Sequence, residues 1–274
     1  MIPGVIDFHV HCYPEKVAER AIAAVGPLGL STSFDATIAG LRRSMERAGI
    51  LASLNLPLAN TPDNIRGVNA WSAANNAAPV YSLGSIHPDD PQPRQTLTWI
   101  KSLGLRGVKV HPEYQRFKFE DERLFPIWEA CVEQDLFVVT HAGADIAFPP
   151  PPNTNPASIA AFHRRFPGLR LVVAHLGSWG MWHETEKELI GLPLYLDLAF
   201  VAGMMHDEQL LRIIRAHGSE RILFGTDAPW QDQFKSLEYF RALPLTAMEQ
   251  ENILYHNAAR LLGLKNGAAA PVQA

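Results

Sequence analysis

The chain has 274 residues, 47% of them hydrophobic and 19% charged, a balance that permits a sizeable core and excludes wholesale disorder. Lysine and arginine total 24 against 28 acidic residues, and the formal net charge of −4 leaves no basic surplus for nucleic acid. Two cysteines, Cys12 and Cys131, make no disulfide framework, no apolar stretch approaches the roughly 20 residues that span a bilayer, and the N-terminus lacks a secretory pattern. The expected compartment is a reducing cytoplasm.

VIDFHVH (5–11) reads as the first strand. Alternation puts His9 and His11 on one face, with Phe8 and Val10 on the other. Cys12 shares the parity of Val10 and reads as packing. Two imidazoles aimed at one spot suit a divalent metal, although an H-x-H pair also occurs on ordinary polar strand faces. The amphipathic FDATIAGLRRSMERAG comes next, with apolar residues recurring at three and four. Then follow ILASLNLPLA (50–59), VYSLGSIHP (80–88), LRGVKVHP (105–112), LFVVTHAG (136–143), LRLVVAHLG (169–177), LYLDLAF (194–200) and ILFGTDAPW (222–230). Helical patterns such as DERLFPIWEACVEQD and DEQLLRIIRAHG separate them. FPPPPNTNP (148–156) is too stiff and helix-hostile to be anything but a loop, either an active-site wall or a connector.

Eight strands alternating with helices predict an α/β fold, a (β/α)₈ TIM barrel in one domain over 1–264, followed by a frayed tail at 265–274. A doubly wound open sheet is the rival, and no G-x-G-x-x-G follows the first strand to support it.

In barrels the chemistry lies at the C-terminal strand ends. Here strand one ends in His9 and His11, strand three in His87, strand four in Lys109 and His111, strand five in His141, strand six in His175 and strand eight in Asp227. Such groups in one layer would repel when charged and lose hydration when neutral, so a metal is the economical explanation. Asn55, Asp145 and His87 could orient a ligand histidine, touch substrate or cap a helix. Tyr114, Gln115, Trp179, Trp182 and Trp230 stand beyond strand ends as pocket walls or as packing. His163, His183, His206, His217 and His256 fall away from strand ends and read as surface histidines.

IDFHVH, VVTHAG, VVAHLG and ILFGTDAPW, in this order and spacing, resemble the amidohydrolase superfamily, in particular its amidohydrolase-related branch that also holds aminocarboxymuconate-semialdehyde decarboxylase. The likeness runs from Ile6 to about Leu262. It implies one divalent metal, most often zinc, on His9, His11, His141 and Asp227, with His175 and Asp227 catalytic. Lys109 then has three readings: a carbamylated bridge between two metals, an ammonium that receives a substrate carboxylate, which the single-metal branch favours, or a partner in a structural ion pair. His111, Tyr114, Arg116, His87 and Trp230 join Lys109 as substrate-binding candidates. Arg116 reads equally as a solvated loop residue.

That ligand set implies a metal-dependent hydrolase of a small amide, lactone or ester acting through activated water, with His175 and Asp227 handling protons. The alternative is a metal-dependent, non-oxidative decarboxylase of a small unsaturated or aromatic acid. A structural zinc site would be closed and cysteine-rich, which this one is not. The expected partners are a small-molecule substrate, carboxylated in the decarboxylase reading, and a second copy in a homodimer, with neither nucleic acid nor membrane.

Overall fold

A computed structural model describes residues 4–264; the expected tail at 265–274 lies outside them. The chain divides into two compact units that interleave in sequence. The first takes residues 4–55, 77–81 and 197–264, the second 56–76 and 82–196.

In the first unit, β1 (Ile6–Val10) is buried at every residue. It runs parallel to β2 (Ala52–Asn55), with Ile6 opposite Ala52 and Asp7 opposite Ser53, and the register shifts before Val10 meets Asn55. β3 (Val80–Ser82) begins here, where Ser53 donates to the Pro79 carbonyl at 3.0 Å. On the other side, Phe8 donates to the Phe224 carbonyl at 2.8 Å, immediately after the short β9 (Ile222–Leu223). Both flanks of β1 are paired, and its alternating apolar residues (Ile6, Phe8, Val10) and polar residues (Asp7, His9) are all buried.

The predicted FDATIAGLRRSMERAG helix forms over Ile38–Ala48. Thr37 caps it by accepting from Gly40 N, Leu41, Met45 and Ala48 face inward, and Gly49 closes it in the left-handed conformation at φ 67°. It packs on the helix Gln233–Ala242, which Asp232 caps through Lys235 N at 3.1 Å.

The second unit lays β4 (Gly84–Ser85), β5 (Gly107–Val110), β6 (Phe137–Thr140), β7 (Leu171–Val173) and the first two residues of β8 (Tyr195–Asp197) side by side in chain order, each neighbouring pair parallel. Consecutive parallel neighbours require a crossover each time, and helices Pro93–Ser102, Phe125–Glu133 and Pro156–Arg165 supply three of them. The last starts with a reciprocal cap between Asn155 and Ser158. Phe117, Phe119, Trp128 and Phe162 form a buried aromatic group, with Phe119 and Phe162 rings 4.5 Å apart.

The strands depart from expectation in detail. The stretch 80–88 holds two short strands interrupted at Leu83, so the described residues contain nine rather than eight. The first strand ends at Val10, leaving His11 just beyond it. The proline-rich 148–155 carries no regular structure, as expected, and its helix begins at Pro156.

Candidate metal centre

The end of β1 and the loop after β9 bring three groups together inside the first unit. His9 Nε2 lies 3.2 Å from His11 Nε2 and 3.3 Å from Asp227 Oδ1, and His11 Nε2 lies 2.9 Å from that oxygen. Two ring nitrogens and a carboxylate oxygen in a triangle of this size fit one cation. Ligands about 2.1 Å from a shared ion stand about 3.0–3.4 Å apart in octahedral or tetrahedral geometry.

Asp197, at the end of β8, prepares the triangle. Its Oδ2 lies 2.8 Å from His9 Nδ1, and an ionised carboxylate only accepts, so Nδ1 carries the proton and Nε2 presents its lone pair to His11 and Asp227. Asp197 Oδ1 accepts from Ala199 N at 3.1 Å.

Local backbone sets the aim. Asp227 sits at φ 64°, a left-handed conformation that an aspartate tolerates but does not prefer. It is held there because its N–H donates to the His9 carbonyl at 2.8 Å and its own carbonyl accepts from Trp230 N at 2.9 Å. Gly225 permits the approach: a Cβ there would stand 2.9 Å from His9 Cβ. Beneath them Asp7 accepts from Thr226 Oγ1 at 2.6 Å, Gln233 Nε2 at 2.7 Å, Thr226 N and His9 N. Burial pushes the Asp7 carboxyl up to about 6 even against these hydrogen bonds.

A second group forms within the second unit. The His111 and His141 rings stack at 4.1 Å, nearly parallel at 9°. His111 Nε2 stands 3.4 Å from Asp145 Oδ2, and His141 Nδ1 stands 2.9 Å from His175 Nε2. Burial, with the neighbouring His111 and His175 rings and Lys109 adding to it, holds His141 well below the ordinary imidazole range against the opposing pull of Asp145. It is therefore neutral at pH 7, the form in which imidazole ligates metals. His175 and Leu176 both lie at left-handed φ, 58° and 54°, and Trp182 Nε1 donates to the His175 carbonyl at 3.0 Å. Of the four expected ligands, the first unit thus gathers His9, His11 and Asp227, and His141 stands in the second with His111 and Asp145.

The comparisons bear on this arrangement. A family model for amidohydrolases matches residues 6–264. The chain belongs to the amidohydrolase family. No curated protein sequence matches it. Among solved structures, it is similar to an uncharacterised TIM-barrel protein from Bordetella bronchiseptica, at 23% identity, TM-score 0.73, over 94% of this chain and 98% of that one. It is similar to a dihydroxybenzoic acid decarboxylase from Polaromonas sp. JS666 with bound manganese and the inhibitor 2-nitroresorcinol, at 18% identity, TM-score 0.71, over 94% and 96%. It is also similar to a protein provisionally described as a 2-pyrone-4,6-dicarboxylic acid hydrolase from Pseudomonas putida, at 17% identity, TM-score 0.69, over 96% and 98%. These likenesses show the fold, a parallel α/β TIM barrel. The family and the His9, His11 and Asp227 triangle support a divalent metal in this amidohydrolase.

The softer candidates in this amidohydrolase separate. Lys109 is 2% exposed, within electrostatic reach of His141. Tyr114 stands edge-on to His111 at 4.7 Å and to Phe148 at 4.8 Å; burial first and Asp145 second push its hydroxyl up to about 12. Arg116 is exposed at φ 55°. His87 is buried and its Nδ1 accepts from Asp89 N at 3.1 Å, which gives it a turn to hold. Trp230 is half-buried beside Asp227. Asn55 accepts from Cys12 N at 2.7 Å, and Cys12 itself is buried as packing.

Two expectations are corrected. His163 and His217 are buried, not surface residues, because each stands on the inward face of its helix. Four residues went unassigned in the sequence: Asp197, Asp7, Gly225 and Glu113, whose carboxylate takes the main-chain and side-chain N–H groups of Asn153 in the proline-rich loop. Asp197 had a signal, a lone acid inside the apolar run LYLDLAF.

Proposed function

We propose that the protein is a metal-dependent hydrolase of a small carbonyl-type substrate, an amide, lactone or ester, with zinc as the metal. The observation that carries this reading is the triangle of His9 Nε2, His11 Nε2 and Asp227 Oδ1, its first nitrogen turned inward by Asp197. When bound, a divalent ion in such a set lowers the pKa of water toward about 7 and polarises carbonyls. The chain's own residues do the rest. Asp197 holds His9 in its ligating tautomer, and Asp227 takes a proton from water and returns it to the leaving group. The resemblance adds His141 as a fourth ligand and His175 as the group that orients water or steadies a developing oxyanion.

A second reading, decarboxylation of a small unsaturated or aromatic acid, draws support from Lys109. A buried lysine beside His141 is a receptor for a substrate carboxylate. The manganese-containing decarboxylase of similar fold points the same way. A homodimer taking a small-molecule substrate completes the proposal.

The experiment is a panel of lactones, amides, esters and carboxylated dienes and phenols, run in ¹⁸O-labelled water with the wild type, His175→Ala and Asp227→Ala. Label in the product with loss in both variants supports hydrolysis. Carbon dioxide release without label rejects hydrolysis for decarboxylation, and no turnover by the metal-loaded wild type rejects both.

A further inference from the structure

β5 carries Lys109, and His111 follows just past its end, yet the β4 edge stops supporting the strand where they begin. Its neighbour β4 is only two residues long, and the ladder between them ends with Ser85 opposite Lys109. Past that point two side chains take over. Ser85 Oγ donates to the Lys109 carbonyl at 3.0 Å and accepts from Ala59 N at 2.9 Å. Gln115 Oε1 accepts from His111 N at 2.9 Å, and its Nε2 donates to the carbonyls of Ala59 and Ile86, each at 2.8 Å. Gln115 N also donates to the His111 carbonyl at 2.9 Å, so the main chain of His111 is held at both its polar atoms.

We infer that Gln115 and Ser85 are positioning residues that fix the main chain at His111 and Lys109, and thereby set the His111 ring against His141 and the Lys109 side chain in its buried place. The inference rests on the functional reading above for the importance of those two side chains, and on this geometry alone for their placement.

The chemistry of the amide explains why glutamine stands here. Gln115 is 3% exposed, and both its N–H groups and its oxygen are engaged with main-chain groups of three separate segments. A carboxylate would place negative charge against two carbonyl oxygens, and an asparagine falls one methylene short. Ser85 is fully buried and fixed in turn, since Asn69 Nδ2 donates to its carbonyl at 2.8 Å and Asn69 Oδ1 accepts from its N–H at 2.9 Å. Asn69 also donates to the Ile65 carbonyl at 2.7 Å, anchoring the network to the helix Ile65–Ala74. A chain of satisfied buried polar groups ending at two chemistry-bearing residues is what a rigid support for a site requires.

The test uses metal-loaded wild type, Gln115→Met, Ser85→Ala and Ser85→Thr, with histidine ring signals followed by NMR on ¹⁵N-labelled protein and 4-nitrophenyl acetate as the hydrolysis probe. Gln115→Met and Ser85→Ala are expected to move the His111 and His141 ring signals while those of His9 and His11 stay, with kcat down at least tenfold. Ser85→Thr, which keeps the hydroxyl, is expected to restore both. A lowered melting temperature with unmoved His111 and His141 signals would overturn the inference, leaving Gln115 and Ser85 as ordinary fold stabilisers. Because the ring signals need no turnover, an inert wild type would reject the hydrolase reading and leave this test standing.

Discussion

Asp197 accepts the Nδ1 proton of His9 at 2.8 Å, and that single contact decides which nitrogen of His9 faces His11 and Asp227. Replacing Asp197 with alanine frees the ring to rotate or change tautomer. Metal affinity of Asp197→Ala is expected to fall by about 10- to 100-fold, read by competition with a chromogenic chelator. Unchanged affinity would show that the carboxylate is not what aims the ring.

Gly225 lets β1 and the loop after β9 close on each other. In Gly225→Ala the new methyl would stand 2.9 Å from His9 Cβ and 3.5 Å from Ala199 Cβ, neither of them a flexible side-chain end. The expected cost is about 1–3 kcal/mol in urea unfolding, accompanied by weaker metal binding. Loss of stability with full metal affinity would place the strain elsewhere.

His163 carries a pH dependence of stability. It is 5% exposed, its Nδ1 has no hydrogen-bond partner among the described residues, and burial lowers its pKa below 6.5. A group whose folded pKa lies below its unfolded value contributes stability above the unfolded pKa and loses it as pH falls through the folded one. The wild type is therefore expected to weaken on acidification from pH 6.5, and His163→Leu to weaken less over the same window in thermal melts. Parallel losses in the two proteins would contradict this.

The short runs 5–11, 105–112 and 136–143, rich in Val, Ile, Leu and Phe, are legible as strands because paired parallel strands are buried on both faces. The H-x-H parity of His9 and His11 followed from strand alternation and put both rings at the Asp227 carboxylate. The split of 80–88 at Leu83 is not legible, since it depends on pairing: β3 joins the sheet with β2, and β4 pairs with β5. The lone acid in LYLDLAF marks Asp197 only weakly, because its partner His9 lies 188 positions away. His163 stands four residues after the buried Ile159, and His217 three and four after Ile214 and Ile213, so helical periodicity would have placed both inside. The roles of Ser85 and Gln115 depend on main-chain groups of distant segments and leave no pattern in the sequence.

The central claim is that His9, His11 and Asp227 hold a divalent cation, and the direct measurement is metal content by mass spectrometry after zinc loading and desalting. The wild type is expected to retain at least one equivalent per chain. His11→Ala and Asp227→Ala, each still folded by circular dichroism, are expected to retain at least tenfold less at the same free zinc. Full retention by both folded variants would contradict the account.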